Sequence, residues 1–322
     1  MRVLVIGDSM VDVSMSGLIE RISPEAPVPV FLKKQEVISL GGAGNVAASL
    51  SSFGLDVTLL TLVGKDNSGS HLERLSADTG IRLQAMYDPQ HITSTKTRFW
   101  CSNQQVFRAD QERRLTCNMA FRNFVDEHLR SQTAYDSIVI SDYNKGTLDA
   151  GLIADLVNYS IQNKCYLVCD PKGLSVESYA KVTVITPNLR EAARLLNQNS
   201  FAFDNHIIRS TLIQFRHFYS IENPVITAGD IGIYYLDAEN NLILQNSIKA
   251  HLADPTGAGD TAIAAITYGL CMGESFESCV ALACAAASFT VTHVGTSPCP
   301  LAEMQSRLET IAKPTKILSS VK

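Results

Sequence analysis

The chain has 322 residues, 46% of them hydrophobic, enough to bury a full core in one large α/β domain or in a domain with a smaller appendage. A formal net charge of −5 excludes the broad basic footprint that nucleic acid or anionic lipid requires, so neither is an expected partner, although local cations can still hold a small phosphorylated ligand. The N-terminal run Met1-Arg-Val-Leu-Val-Ile-Gly7 is too short for a signal peptide, no stretch reaches the roughly 20 apolar residues of a membrane span, and the eight cysteines form no C-x-x-C pair, all of which predicts a cytoplasmic protein with reduced thiols.

In chain order, a β-branched run at residues 3–6 predicts a first strand that ends in Gly7-Asp-Ser-Met-Val-Asp12. Residues 13–38, with Pro24, Pro27 and Pro29, read as strands without a helix between them, and the prolines suit edge positions. A helix follows at 44–53 and a strand at 57–63. Residues 93–111 again read as strands alone, so 13–38 and 93–111 together predict a small antiparallel flap, or β lid, over a site. Thereafter helices at 119–130, 150–162, 190–197 and 206–218 alternate with strands at 137–141, 166–169, 182–186 and 225–227.

Such alternation predicts an α/β fold with a mostly parallel central sheet and helices on both faces, its ligands beyond the carboxyl ends of the strands. Residues 1–12, 39–92 and 112–312 are assigned to this core, 13–38 and 93–111 to the lid, and 313–322 to a loose polar tail. The apolar stretch 276–294 is interrupted by Glu277, Ser278, Thr290, Thr292 and His293 and reads as a buried core helix.

Chemistry concentrates in Asp254-Pro-Thr-Gly-Ala-Gly-Asp-Thr261. Gly257, Ala258 and Gly259 lie where a loop becomes a helix, so unpaired N–H groups and the positive end of the helix dipole converge on a seat for an anion. Asp260 puts a carboxylate beside that seat, which is unfavourable unless it accepts a proton from an attacking hydroxyl. A second cluster, Gly41-Gly-Ala-Gly-Asn-Val-Ala47, contains Gly42, Gly44 and Ala47 at the spacing of a dinucleotide fingerprint. That fingerprint belongs after the first strand of a βαβ unit, which here ends elsewhere, so an NAD-dependent oxidoreductase is the weaker reading. Gly41 and Gly42 instead let backbone approach a polyhydroxylated ligand, with Asp12 and Asn45 bonding its hydroxyls, or they simply cap a helix.

Asp12, Gly41–Asn45, Pro187-Asn-Leu-Arg-Glu191 and Asp254–Thr261, in that order and spacing, resemble the ribokinase-like (PfkB) family of ATP-dependent sugar kinases over nearly the whole chain. Within it, Ser141-Asp-Tyr-Asn-Lys-Gly146, Asp170-Pro-Lys-Gly173, Asn103-Gln-Gln105 and Gly295-Thr-Ser297 are similar to the members that phosphorylate D-glycero-D-manno-heptose 7-phosphate. The resemblance implies a ribokinase-like fold, transfer from ATP to the anomeric hydroxyl of that sugar, and a homodimer joined through its flaps. It implies Asp260 as base, with Gly257, Ala258 and Gly259 holding the charge on the transferred phosphoryl group. Asn188 and Glu191 would organise Mg²⁺ through water, and Asp254 would lie by a monovalent cation, K⁺, as in some relatives. Thr227, Gly229, Asp230 and Gly232 fall where the family contacts nucleotide, and they equally fit a β-turn between two strands.

A phosphorylated sugar also needs a cation, for which Arg108, Lys145 and Lys172 are the candidates. Asp142 and Asp170 either bond sugar hydroxyls or orient those lysines. Bifunctional relatives carry a nucleotidyltransferase domain that these residues do not include, so the kinase step alone is expected. The competing expectations are a kinase for another sugar or sugar phosphate, and a ligand-binding member without catalysis.

Overall fold

In the first strand, Val3 and Val5 enter one hydrophobic cluster while Leu4 and Ile6 enter another, all four fully buried. That period of two with both faces apolar is the signature of a central strand covered by helices on each side. A computed structural model describes residues 1–102, 104–113, 119–198, 204–251 and 253–317. Asn103, Cys117 and the last part of the predicted tail, 318–322, lie outside the described residues.

The strands are β1 (Arg2–Gly7), β2 (Ser9–Ile22), β3 (Pro29–Gly42), β4 (Asp56–Gly64), β5 (Arg82–Asp88), β6 (Ser94–Cys101), β7 (Gln104–Gln111), β8 (Ser137–Ser141), β9 (Tyr166–Asp170), β10 (Val184–Ile185), β11 (Asn223–Thr227), β12 (Gly232–Leu236), β13 (Leu242–Asn246) and β14 (Thr315–Ile317). The helices are α1 (Ala43–Ser52), α2 (Asn67–Asp78), α3 (Met119–Ser131), α4 (Ala150–Asn163), α5 (Leu189–Leu195), α6 (Asn205–Phe218), α7 (Ala258–Cys271), α8 (Phe276–Thr290) and α9 (Leu301–Leu308). Among the described residues, one sheet runs β14-β13-β12-β11-β10-β9-β8-β1-β4-β5, parallel from β11 to β5 and antiparallel from β11 to β14. Helices α1, α7 and α8 pack on one face and α3, α4 and α6 on the other. The apolar stretch read as a core helix is α8, which is buried along most of its length. No helix among the described residues is long and apolar enough to cross a membrane.

A second sheet, β3-β2-β6-β7, is built from the segments read as a flap. It is not wholly antiparallel: β2 and β6 run parallel, because each is the outgoing strand of a hairpin that leaves the main sheet, and β3 and β7 return. These strands begin within the main body, so Asp12, Gly41 and Gly42 lie on β2 and β3. Ile22, Val28, Leu32, Val37, Val106 and Phe107 are exposed on this sheet and its turn.

The strand predicted at 182–186 contracts to β10, two residues long. Thr315–Ile317, assigned to a loose tail, instead add β14 to β13 and close that edge of the main sheet. The seven described cysteines are free, and burial pushes the thiols of Cys165, Cys169, Cys271, Cys279, Cys284 and Cys299 up, to about 11 in Cys165 and Cys271 and about 12 in Cys279, Cys284 and Cys299.

Candidate active site

Gly257 is the N-cap of α7 with φ +82°, a left-handed conformation that only glycine takes without strain. A Cβ there would also lie 2.8 Å from Nδ2 of Asn45. The residue therefore has two reasons to be glycine, one from the turn and one from the side chain beneath it. Asn45, buried on α1, donates from that Nδ2 to Oδ2 of Asp260 at 2.9 Å. The other carboxylate oxygen, Oδ1, accepts from the hydroxyl of Tyr143 at 2.7 Å. Burial raises the Asp260 pKa to about 6, against the opposing pull of Lys172, Asn45 and Tyr143. A carboxyl so held is ionised at neutral pH yet close enough to it to take a proton, as a general base requires.

Lys172 lies 3.7 Å from the centre of the Tyr143 ring and bonds Oδ2 of Asp170 at 2.6 Å. Burial disfavours its charge, but Asp170, Tyr143, Asp260 and Glu191 outweigh burial and push its pKa up, so it is a fixed cation beside the carboxylate. Glu191 belongs to the same charge cluster, its pKa raised by burial and by Asp170. It closes a capping box on α5: Oδ1 of Asn188 accepts from the N–H groups of Arg190 and Glu191, and the Asn188 N–H donates to Oε2 of Glu191 at 2.8 Å. Thr227 joins this corner, its N–H donating to the Pro187 carbonyl at 3.0 Å. Gly229 and Asp230 are exposed in the turn between β11 and β12, so this segment is a hairpin turn, and Gly232 is required at its end because a Cβ would lie 2.0 Å from the Gln245 carbonyl oxygen. No group of three or more metal-ligating side chains occurs among the described residues. Oδ1 of Asn188 and Oε2 of Glu191 already accept backbone N–H groups, which fits magnesium held chiefly by phosphate oxygens and water.

On the small sheet, Asp12 is buried and paired with Arg98 at 2.5 Å, and a Cβ on Gly41 would lie 2.4 Å from its Oδ2. Lys96, in register with Asp12 on β2 and Asp110 on β7, has its Nζ 5.2 Å from the Tyr143 ring centre. Burial lowers the Lys96 pKa, and Lys145, Arg108 and Arg98 lower it further against the attraction of Asp12. Its ammonium makes no hydrogen bond or ion pair among the described residues. The three cations expected to meet a phosphate are differently placed: Lys145 pairs with Glu112 at 2.5 Å, Arg108 is held bidentate by Asp110 at 2.8 and 2.7 Å, and Lys172 is held by Asp170.

Asp142 serves its own loop. One oxygen accepts from Tyr179 and the other from the Asn144 N–H at 2.7 Å. Asp254 likewise ties two loops, accepting from the N–H and hydroxyl of Thr256 and from the Gly295 N–H at 3.0 Å. Reading from sequence missed Tyr143 and Lys96. Tyr143 sits inside the Ser141–Gly146 segment, but a tyrosine there signals nothing until the fold turns its hydroxyl onto Asp260; Lys96 is one of five consecutive polar residues, Ser94–Arg98, in its strand.

A buried carboxylate between an asparagine and a tyrosine, a glycine-capped helix N-terminus beside it and a cation cluster on the second sheet suit phosphoryl transfer to a hydroxyl. Comparison with known proteins agrees. Residues 1–303 match the model of the pfkB family carbohydrate kinases. The chain is 35% identical over 306 residues to the bifunctional protein HldE of Helicobacter pylori, covering 94% of this chain and 65% of that protein. It is 34% identical over 322 residues to HldE of Methylobacillus flagellatus, covering 95% and 63%. The chain thus spans less than two thirds of the length of these relatives. In fold it is similar to phosphofructokinase-2 from Escherichia coli in complex with potassium, with a TM-score of 0.81, 19% identity and coverage of 96% and 98%. A putative ribokinase from Agrobacterium tumefaciens is similar with a TM-score of 0.74, 16% identity and coverage of 96% and 97%. With the family matched from Met1 into the start of α9 on this ribokinase-like frame, the chain belongs to the pfkB family and is a carbohydrate kinase.

Proposed function

We propose that this kinase transfers the γ-phosphate of ATP to the anomeric hydroxyl of D-glycero-D-manno-heptose 7-phosphate, giving the 1,7-bisphosphate used to make ADP-heptose for lipopolysaccharide core. The observation that carries the phosphorylated substrate is Lys96, a half-buried ammonium without a carboxylate partner among the described residues, amid Arg98, Arg108 and Lys145 and against the tyrosine that touches Asp260. A cation cluster partly removed from water favours an anion, and the sugar's own phosphate supplies one. Asp12 and Asn45 would bond sugar hydroxyls.

Asp260 takes the proton of the attacking hydroxyl as its oxygen bonds the γ-phosphorus and the bond to the β-phosphate oxygen breaks, releasing ADP. The N–H groups following Gly257 hold the charge on the phosphoryl oxygens. Magnesium, when bound, neutralises charge on the ATP phosphates, and Asn188 and Glu191 would hold it through water. Thr227 and the turn to Gly232 would border the nucleotide. Asp254 would serve a monovalent cation through the lone pairs left after Thr256 and Gly295 are bonded. Turnover compared on heptose 7-phosphate, fructose phosphates and ribose tests the substrate: kcat/KM is expected to be highest for the heptose, and absence of that preference overturns the narrower reading. A cytoplasmic enzyme fits this reaction.

The exposed apolar residues of the small sheet support a homodimer joined there. Phe107→Glu is expected to convert the dimer to a monomer in sedimentation velocity, and a wild-type chain that sediments as a monomer would remove the dimer from the reading.

A further inference from the structure

The buried carboxylate of Asp8, just after β1, is used by neither the proposed proton transfer nor the proposed ligands. Its Oδ2 accepts from the backbone N–H groups of Tyr143 at 2.9 Å and Lys145 at 3.0 Å, and its Oδ1 accepts from the Thr147 N–H at 3.0 Å. Three alternate N–H groups of one loop therefore converge on a single side chain, which is only 2% exposed. The loop bends tightly around it, with Asn144 at φ +57° and Gly146 at φ +106°. The Asp8 carbonyl oxygen accepts from the Ala43 N–H at 3.1 Å, at the start of the helix that carries Asn45. Asp8 thus touches the supports of both side chains that hydrogen-bond Asp260, Tyr143 through its carboxylate and Asn45 through its backbone.

We propose that Asp8 is a positioning residue of the kinase: by gathering the 142–147 loop it holds the Tyr143 hydroxyl on Asp260 and so sets how readily the base gives up and takes its proton. This rests on the reading of Asp260 as the base. The geometry gives the reason. A loop N–H buried without an acceptor is costly, so the three bonds leave the loop one conformation, and in that conformation the hydroxyl is 2.7 Å from Oδ1. The groups facing Asp260 are Asn45, Tyr143, Lys172 and, further off, Asp170. Of the two hydrogen bonds that favour its ionised form, the one from Tyr143 depends on the loop. Without it, burial is opposed less, and the carboxyl keeps its proton to higher pH.

The test is the acid limb of the kcat/KM profile, compared in the wild type, Asp8→Asn, Tyr143→Phe and the double variant, with melting temperature measured alongside. Asp8→Asn replaces one acceptor oxygen by a donor. The limb is expected to move to higher pH in both single variants, and the double variant is expected to move no further than Tyr143→Phe alone, because Asp8 acts through that hydroxyl. If Asp8→Asn does not fold, Asp8→Glu, which keeps the charge and displaces the carboxylate, reads the same limb. A folded, active variant whose limb stays in place, or shifts that add in the double variant, overturns the proposal. Failure of the base reading looks different: Asp260→Asn would then retain activity while every limb stays unmoved.

Discussion

Asp260→Asn is expected to lower kcat by about 10³-fold, within the ~10²–10⁴ that a positioned general base contributes, while ATP binding is retained. The fold should tolerate the change. The amide oxygen can accept from Asn45, and the amide nitrogen can donate to the Tyr143 oxygen, so both contacts survive with one reversed. Stability has a definite sign. The pKa of Asp260 is raised in the folded chain, from 3.8 to about 6, so the folded state holds its proton more tightly than the unfolded one. Stability is then fully present below about pH 4 and is lost as pH rises towards 6, leaving a cost on the order of 3 kcal/mol at pH 7. Asparagine carries no such charge. Melting temperature at pH 7 should be equal or higher in the variant, with the difference fading towards pH 4. In the wild type, kcat/KM should fall below about pH 6 as the base protonates. A variant that loses melting temperature along with activity would assign Asp260 to the fold instead of the chemistry.

Lys96→Gln is expected to raise KM for the phosphorylated sugar by about 10- to 100-fold, the equivalent of one charge-assisted hydrogen bond of roughly 1.5–3 kcal/mol. KM for ATP and turnover of an unphosphorylated sugar should stay near the wild-type values. Lys145→Gln should do less, because Lys145 already spends its charge on Glu112. Steady-state kinetics on a sugar with and without its phosphate separates the cases: equal weakening of both substrates would show that Lys96 only shapes the site. The distinction follows from desolvation. Lys96 is partly removed from water without gaining a carboxylate, and a bound phosphate would return what burial takes away.

Much of the frame is legible along the chain. The runs in β1, β8 and β9 are apolar through their centres and that in β4 is broken only by Thr58 and Thr61, which marks strands buried on both faces, and the helical patterns between them dictate crossovers and a parallel sheet. Gly257-Ala-Gly-Asp260 is legible for a local reason: a glycine turn entering a helix acts within a few residues, so its consequence is written in its own neighbourhood. Strands β12, β13 and β14 escape a reading based on alternation because they pair antiparallel, and β14 gains its place only by lying against β13, some seventy residues earlier. The two parallel strands of the small sheet escape it too, since direction depends on where each hairpin leaves the main sheet.

The amino-acid order alone determined the α/β class and the glycine turn at Gly257 that opens α7 with a carboxylate in its first turn, because each rests on periodicity or on contacts between chain neighbours. Which cation is left without a carboxylate partner among the described residues was decided only by the tertiary structure. Lys96, Arg108, Lys145 and Lys172 look alike as letters, and they differ because Asp110, Glu112 and Asp170 occupy three of them and leave the fourth without a carboxylate. The same holds for Asp8 and Tyr143. A carboxylate at residue 8 and a loop at 143–147 meet through three hydrogen bonds that span some 135 to 139 positions, and no local pattern records a bond of that range.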